Sequence, residues 1–320
     1  MKRAFLGLAL IFAASPAWAW RLFGEPSDKK IVPIQILSDQ NKSAEVLAAL
    51  TPDFVQSLRG TDLRQAYILK GDNLDRLGHN DEALGVYQLG VKLFPKNVDL
   101  LTRQAGLLHR TGLDEQAQPL FLKALEYEPR HFGAHLGLAE IYRHLGFLDR
   151  SASHYESALE TLDERAAVWR DYAETLLAQR DWTTADLALQ RALTLEPANP
   201  DSRVLLGFAR RAQGDLPGAL SALDDALARG AGVGAKRAKA LWLIELGRYS
   251  AALAVADEIL RAVPGDAAAI WARARAQMAK GQTAKAVAEL APLSVGPRAD
   301  FSARAARVLR DALTADTARR

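Results

Sequence analysis

The chain has 320 residues, of which 49% are hydrophobic and 25% charged, with 41 Lys and Arg against 38 Asp and Glu. This composition excludes a disordered polyelectrolyte, a collagen-like chain and a polytopic membrane protein. The sequence contains no cysteine, which excludes thiol catalysis, disulfide bonds and cysteine-ligated zinc.

The first 19 residues have the pattern of a secretory signal peptide. Lys2 and Arg3 precede an apolar stretch over residues 4–14, and Ala17 and Ala19 form the small-residue pattern of a cleavage site. The apolar stretch is short for a membrane span. We therefore predict cleavage after Ala19, a periplasmic location and no transmembrane span in the mature chain. Retention as an uncleaved anchor is the alternative.

Residues 20–42 are predicted to form an extended N-terminal segment. Trp20, Phe23 and the apolar run over residues 31–37 are too hydrophobic for an idle tail, and Pro33 excludes a central strand. We expect this segment to pack on apolar surface of its own chain or of a second copy. Self-association is therefore left open.

Residues 43–61 are predicted to contain two short helices. Thr51 and Pro52 have the residue types of an N-cap and a first helical position, so they mark the start of the second helix.

A period of about 34 residues organises the chain from there on. Glycines recur on this period at Gly78, Gly112, Gly146, Gly214, Gly247 and Gly281. Arg180 occupies the one position of the series at which glycine is missing. Prolines follow the same period at Pro95, Pro129, Pro197 and Pro264. Such a repeat length indicates an array of stacked structural units.

Each unit resembles a tetratricopeptide repeat. The first unit carries the family's bulky, small, aromatic and proline positions as Tyr67, Gly71, Ala83, Tyr87, Gly90 and Pro95. The pattern continues for about seven units within residues 62–298. In each unit, the glycine is expected to end helix A in a left-handed conformation, and a residue such as Asp81 or Asp114 to cap helix B.

The resemblance implies the fold class. It is an all-α, right-handed α-solenoid of about seven helix pairs, in which the A helices line a concave groove. Solenoid ends expose core, and residues 299–320 have apolar positions at helical spacing. We predict that they form a C-terminal capping helix and tail.

No catalytic motif is present, so the chain is predicted not to be an enzyme, with no catalytic, cofactor-binding or metal-binding residues. His131 and His135 are four residues apart, but no Asp or Glu at helical spacing completes a metal triad. His109 and His144 lie near the ends of successive A helices, where the hypothesis is a pH-sensitive contact.

The repeat register also predicts which residues line the groove. The middle of the array is polar and the later units are more apolar, which favours a peptide or helix with hydrophobic anchors and acidic flanks. The alternative is that some of the later residues are core. The candidate partner-binding residues are Arg103, Glu140, Arg143, Arg170, Glu174, Phe208, Arg211, Arg237, Leu241, Trp271 and Arg275.

The resulting hypothesis is a periplasmic scaffold or adaptor that binds a protein or peptide partner and organises an envelope complex. The alternative is an accessory subunit of a machine for polysaccharide secretion, cytochrome maturation or cell-wall synthesis. Nucleic acid is not an expected partner, because the chain is predicted to be exported and has no recognisable nucleic-acid-binding module.

Overall fold

The computed structural model describes residues 29–294 together with residue 307. In these residues there are 17 α-helices and one 3-10 turn, and no strand. The 3-10 turn is Lys29–Ile31, and the helices are α1 (Val32–Asp39), α2 (Ser43–Ala49), α3 (Pro52–Ser57), α4 (Gly60–Arg76), α5 (Asn80–Leu93), α6 (Val98–Arg110), α7 (Asp114–Tyr127), α8 (Phe132–His144), α9 (Leu148–Thr161), α10 (Ala166–Gln179), α11 (Trp182–Leu195), α12 (Pro200–Ala212), α13 (Leu216–Ala228), α14 (Val233–Glu245), α15 (Tyr249–Ala262), α16 (Ala267–Ala279) and α17 (Thr283–Ser294).

The chain divides into two compact units, Met1–Phe147 and Leu148–Arg320. In unit 1, α4 packs on α5, α6 packs on α7, and α8 packs on both α6 and α7. In unit 2, α9 packs on α10, and the pairs α10–α11, α12–α13, α14–α15 and α16–α17 follow. The predicted all-α fold of consecutive helix pairs is confirmed. The predicted signal peptide and the predicted C-terminal capping helix lie outside the described residues.

The prediction of an extended segment over residues 20–42 is wrong for its described part. Val32–Asp39 is a helix with Pro33 in its first turn, where the missing backbone N–H costs no hydrogen bond. Ile31 and Ile34 are buried in a cluster with Val46, Leu50 and Leu69. The segment therefore packs on the N-terminal helices of its own unit, and it does so as a helix.

Small residues allow the two helices of a repeat to approach closely. A Cβ atom added at Gly71 of α4 would lie 2.2 Å from Cε1 of Tyr87 on α5. Tyr87 is almost fully buried, and Ala83 beside it has no exposed surface. The small position on helix A therefore makes room for the aromatic position on helix B, as ridges-into-grooves packing requires.

A left-handed residue ends six of the A helices at the repeat glycine, with φ between 70° at Gly247 and 91° at Gly214. Arg180 takes the same conformation at the end of α10, with φ 66° and ψ 22°. The geometry of the turn is thus kept where the sequence pattern is broken, although an L side chain is strained there.

Two of the predicted helix B caps are not caps. Neither α5 nor α7 has a side-chain hydrogen bond at its N-cap, and Asp114 is the first residue inside α7. The carboxylate of Asp114 is directed to two histidines instead. Among the described helices, none has the length and hydropathy needed to cross a membrane.

Candidate functional site

The eleven predicted groove residues are divided between the two units. Arg103, Glu140 and Arg143 belong to unit 1, and the other eight belong to unit 2. Each group is described within its own unit.

Phe208 on α12 is the predicted groove residue with the largest exposed apolar side chain, with 43% of its surface accessible. Its ring meets the ring of Trp242 on α14 edge to face, with centroids 5.1 Å apart and planes 86° apart. Trp242 is only 3% exposed and belongs to the core. One edge of Phe208 is therefore fixed by packing, while much of the side chain is open to solvent.

Charged side chains flank this aromatic pair. Arg211 donates to Glu245 from Nε at 3.1 Å and from Nη2 at 2.6 Å, a two-point ion pair between α12 and α14. The Arg211 guanidinium also lies 5.6 Å from the centroid of Trp242. We call Phe208, Arg211, Trp242 and Glu245 the Phe208 surface. Trp242 was not predicted, because it follows Leu241 by one residue and so lies on the core side of its helix.

Two other predicted residues of unit 2 contribute to packing. Arg237 donates from Nε to Oδ2 of Asp266 at 2.6 Å, and the Asp266 side chain is 1% exposed. Asp266 also caps α16 by accepting from the backbone N–H of Ala269. Leu241 is half-buried against two core clusters. Arg237 therefore compensates a buried carboxylate, and Leu241 is partly core.

Trp271 and Arg275 on α16 form a second aromatic and cationic pair. Trp271 is half-buried and packs with Met278 against Ala274 and Leu290. The guanidinium of Arg275 lies 5.9 Å from the centroid of the Trp271 ring and is exposed. Within the part of the chain that the structure describes, no carboxylate pairs with Arg275. It remains available to an external anion.

Arg103 of unit 1 forms an ion pair with a residue of the neighbouring repeat. Its Nη1 lies 2.9 Å from Oδ2 of Asp72 on α4, and the hydroxyl of Tyr87 donates to Oδ1 of the same carboxylate at 2.6 Å. Burial raises the pKa of Asp72, and Arg103 opposes that increase. Burial, followed by the charge of Asp72, raises the pKa of Tyr87 above its ordinary value.

The remaining predicted residues are half-buried. Glu140 lies 3.4 Å from Nε2 of His109, and Arg170 lies 3.4 Å from Oδ1 of Asp171. Arg143 is on α8 and Glu174 on α10, both partly covered.

His109, Asp114 and His144 meet at the ends of three helices of unit 1. Nδ1 of His109 lies 2.6 Å from Oδ1 of Asp114, and Nδ1 of His144 lies 3.9 Å from Oδ2. The two imidazole rings are 5.2 Å apart between centroids. Glu140 raises the pKa of His109, burial opposes this, and Asp114 raises it further. The sequence indicated the two histidines but did not predict that Asp114 joins them.

The other histidine pair has structural contacts. His131 is the N-cap of α8, and its Nδ1 accepts from the backbone N–H of Ala134 at 3.1 Å. Nε2 of His135 lies 2.9 Å from the carbonyl oxygen of Pro129. Both rings therefore contact the backbone at the start of the helix.

Family models match much of the chain. Two models described as "Tetratricopeptide repeat" match it, one over residues 243–309 and the other over residues 115–167 and 170–233. Among curated proteins, "Tetratricopeptide repeat protein 8" of Caenorhabditis elegans is 22% identical over 212 residues, 55% of this chain and 42% of the relative. "BBSome complex member bbs-4" of the same organism is 24% identical over 39% of this chain and 27% of the relative. The chain therefore spans less than half the length of either.

Solved structures share the fold. The pilF protein of Pseudomonas aeruginosa has a TM-score of 0.54 at 15% identity, over 64% of this chain and 94% of that protein. A tetratricopeptide repeat protein from Parabacteroides merdae has a TM-score of 0.51 at 13% identity, over 90% of this chain and 98% of that one. At such identities the similarity extends to the fold alone.

Proposed function

Because the chain belongs to the tetratricopeptide repeat family, we propose that it is an exported scaffold that binds a protein partner through the Phe208 surface of unit 2. Tetratricopeptide repeat proteins mediate protein–protein interactions and scaffolding. Their function depends on the residues that each array exposes, so the argument rests on the side chains of this chain.

The observation that carries the proposal is the exposed ring of Phe208. A large aromatic side chain that is open on one side and fixed on the other loses little conformational entropy when a partner covers it. Trp242 provides that fixed side through its edge-to-face contact. Aromatic residues in such settings are typical anchors of protein interfaces, where a few side chains supply most of the binding energy.

The charges restrict the kind of partner. Arg211 is neutralised by Glu245 within the Phe208 surface, so this surface favours an apolar group more than a charged one. Arg275, two repeats further along the same unit, has its cation exposed beside Trp271. We infer that the partner presents an apolar anchor to Phe208 and a carboxylate to Arg275.

The location belongs to the same proposal. The charged, apolar and small-residue regions of residues 1–19 support export, and cleavage after Ala19 would leave Trp20 as the first residue. An exported scaffold would assemble envelope proteins. Amino-terminal sequencing of the protein recovered from a periplasmic fraction tests this part, and an intact Met1 in the membrane fraction would contradict it.

Site-specific photo-crosslinking tests the binding surface. A photoreactive phenylalanine analogue is introduced at Phe208 or, as a matched control, at Leu187 on α11. Leu187 is 62% exposed, more than Phe208, but lies on helix B of its repeat. We expect a discrete crosslinked protein from position 208 that is absent from position 187. Equal crosslinking at both positions would show that exposure, and not the Phe208 surface, determines contact.

A further inference from the structure

Three potential metal ligands come together in unit 1, away from the Phe208 surface. His109 lies one residue before the end of α6, Asp114 is the first residue of α7, and His144 is the last residue of α8. One ligand atom from each residue lies within 4.8 Å of the other two. The residues come from two successive repeats, at the end where helix A turns into helix B.

The carboxylate of Asp114 faces both histidines. Its Oδ1 is 2.6 Å from Nδ1 of His109, and its Oδ2 is 3.9 Å from Nδ1 of His144. This carboxylate does not cap α7, although its position in the first turn would allow it to contact backbone N–H groups. Its orientation is therefore set by the imidazoles.

We propose that His109, Asp114 and His144 bind one divalent transition-metal ion of the zinc class. Two imidazole nitrogens and one carboxylate oxygen are a ligand set that suits Zn²⁺, Ni²⁺ or Cu²⁺, whereas Mg²⁺ and Ca²⁺ favour oxygen ligands. Ligands about 2.0–2.2 Å from a tetrahedral zinc ion are roughly 3.3 Å from one another. The 2.6 Å contact between His109 and Asp114 would lengthen, and His144, whose side chain is 54% exposed, has room to move toward the ion.

Glu140 supplies the outer support that such sites use. Its Oε2 lies 3.4 Å from Nε2 of His109, on the side of the ring opposite Asp114. A ligating histidine usually donates its second ring N–H to a carboxylate, which fixes the tautomer. Donation from Nε2 to Glu140 would leave Nδ1 of His109, which faces Asp114, as the nitrogen that binds the metal. The metal then occupies the place of the proton between His109 and Asp114.

The position of the site indicates its effect. His109 and Asp114 belong to the second repeat and His144 to the third, so the ion would join two repeats. An ion that binds only the folded chain stabilises it by an amount that grows with the logarithm of the free metal concentration once this exceeds the dissociation constant. The exposure of His144 leaves one side of the ion accessible to water or to a donor from another molecule.

Zinc titration of the tag-free, full-length chain tests the proposal. After treatment with EDTA and dialysis, isothermal titration with Zn²⁺ should give one ion per chain and a raised melting temperature. His144→Ala and Asp114→Asn should each weaken zinc binding at least about tenfold, and Glu140→Gln should weaken it by about 10–100-fold. His79→Ala is the matched control, because His79 pairs with Glu82 at 2.9 Å and no third potential ligand joins them among the described residues.

Cobalt provides a second measurement on the same proteins. Co²⁺ should give visible absorption bands of a nitrogen and oxygen site in the wild type and in His79→Ala, and these bands should be lost in His144→Ala. Circular dichroism checks that His144→Ala, a change at an exposed residue, remains folded. The proposal is overturned if the wild type binds less than one zinc ion, or if His144→Ala and Asp114→Asn bind zinc as tightly as the wild type does.

Discussion

Arg211 and Glu245 form a two-point ion pair between the A helices of neighbouring repeats, with N–O distances of 3.1 and 2.6 Å. In unit 1, Arg103 also pairs with Asp72 between neighbouring A helices, through its Nη1 alone. The exposed Arg211–Glu245 pair contributes about 0–1 kcal/mol. These ion pairs mainly affect recognition, because the two arginines are already neutralised within the chain and attract an acidic partner less strongly. On the Phe208 surface, the exposed ring of Phe208 is therefore left to determine binding.

The close contact of Gly71 with Tyr87 predicts opposite effects for two similar substitutions. Gly71→Ala would place a methyl group against the buried ring, so we expect the free energy of unfolding to fall by about 1–3 kcal/mol. A Cβ atom added at Gly106 on α6 would have no neighbouring atom within 4 Å. Gly106→Ala should therefore raise the free energy of unfolding by about 0.5–1 kcal/mol. Urea unfolding followed by circular dichroism measures both. Effects of the same sign would show that close packing at Gly71 is not important.

Arg180 predicts a stabilising substitution. A residue with a side chain costs about 1–2 kcal/mol in the left-handed conformation, and glycine adds about 0.5–1 kcal/mol of chain entropy to the unfolded state. Arg180→Gly should therefore raise the free energy of unfolding by about 0.5–1 kcal/mol. Arg180→Ala removes the same side chain but keeps the strain, and so serves as the control. An alanine variant as stable as the glycine variant would contradict this explanation.

Tyr87 and Tyr172 predict a loss of stability at alkaline pH. Burial is the largest cause that raises the pKa of each phenol, and nearby Asp72 and Glu156 raise it further. A raised pKa in the folded state means that stability is fully present below the unfolded pKa of about 10 and falls above it. The free energy of unfolding should fall by about 1.4 kcal/mol per pH unit for each phenol.

The measurement compares urea unfolding of the wild type and of the double variant Y87F/Y172F between pH 9 and about 11. The variant should lose stability less steeply, because its unfolded state gains no charge at these two positions. If the free energy of unfolding fell equally steeply with pH in both proteins, these phenols would ionise as readily in the folded protein as in the unfolded one.

Arg275 predicts how charge affects binding. Arg275→Glu should slow association with the partner and reduce the dependence of the association rate on salt, since an exposed cation steers an acidic group toward the surface. Lys285→Glu makes the same change of charge at an exposed position on α17 of the same repeat. Stopped-flow association rates at two salt concentrations distinguish them. An identical effect of both substitutions would indicate net charge alone.

The helix pairs could be predicted from the sequence because glycines and small residues recur at the spacing of the repeats. The helix at Val32–Asp39 was not predicted, because Pro33 was considered only as excluding a central strand, although the first turn of a helix also accepts proline. The ion pairs of Arg211 and Arg237 could not be predicted, since they depend on the separation of side chains from different repeats. For the same reason, Asp114 was expected to cap a helix rather than face His109 and His144.

The central claim is that Phe208 is the anchor of the binding surface. The direct test is the affinity of the partner crosslinked at position 208 for Phe208→Ala and for Leu187→Ala, together with the melting temperature of each variant. We predict that Phe208→Ala weakens binding by about 30-fold, or about 2 kcal/mol, with a melting temperature close to that of the wild type, while Leu187→Ala binds normally. Unchanged affinity of Phe208→Ala, accompanied by a clear loss of thermal stability, would identify Phe208 as a packing residue and contradict the account.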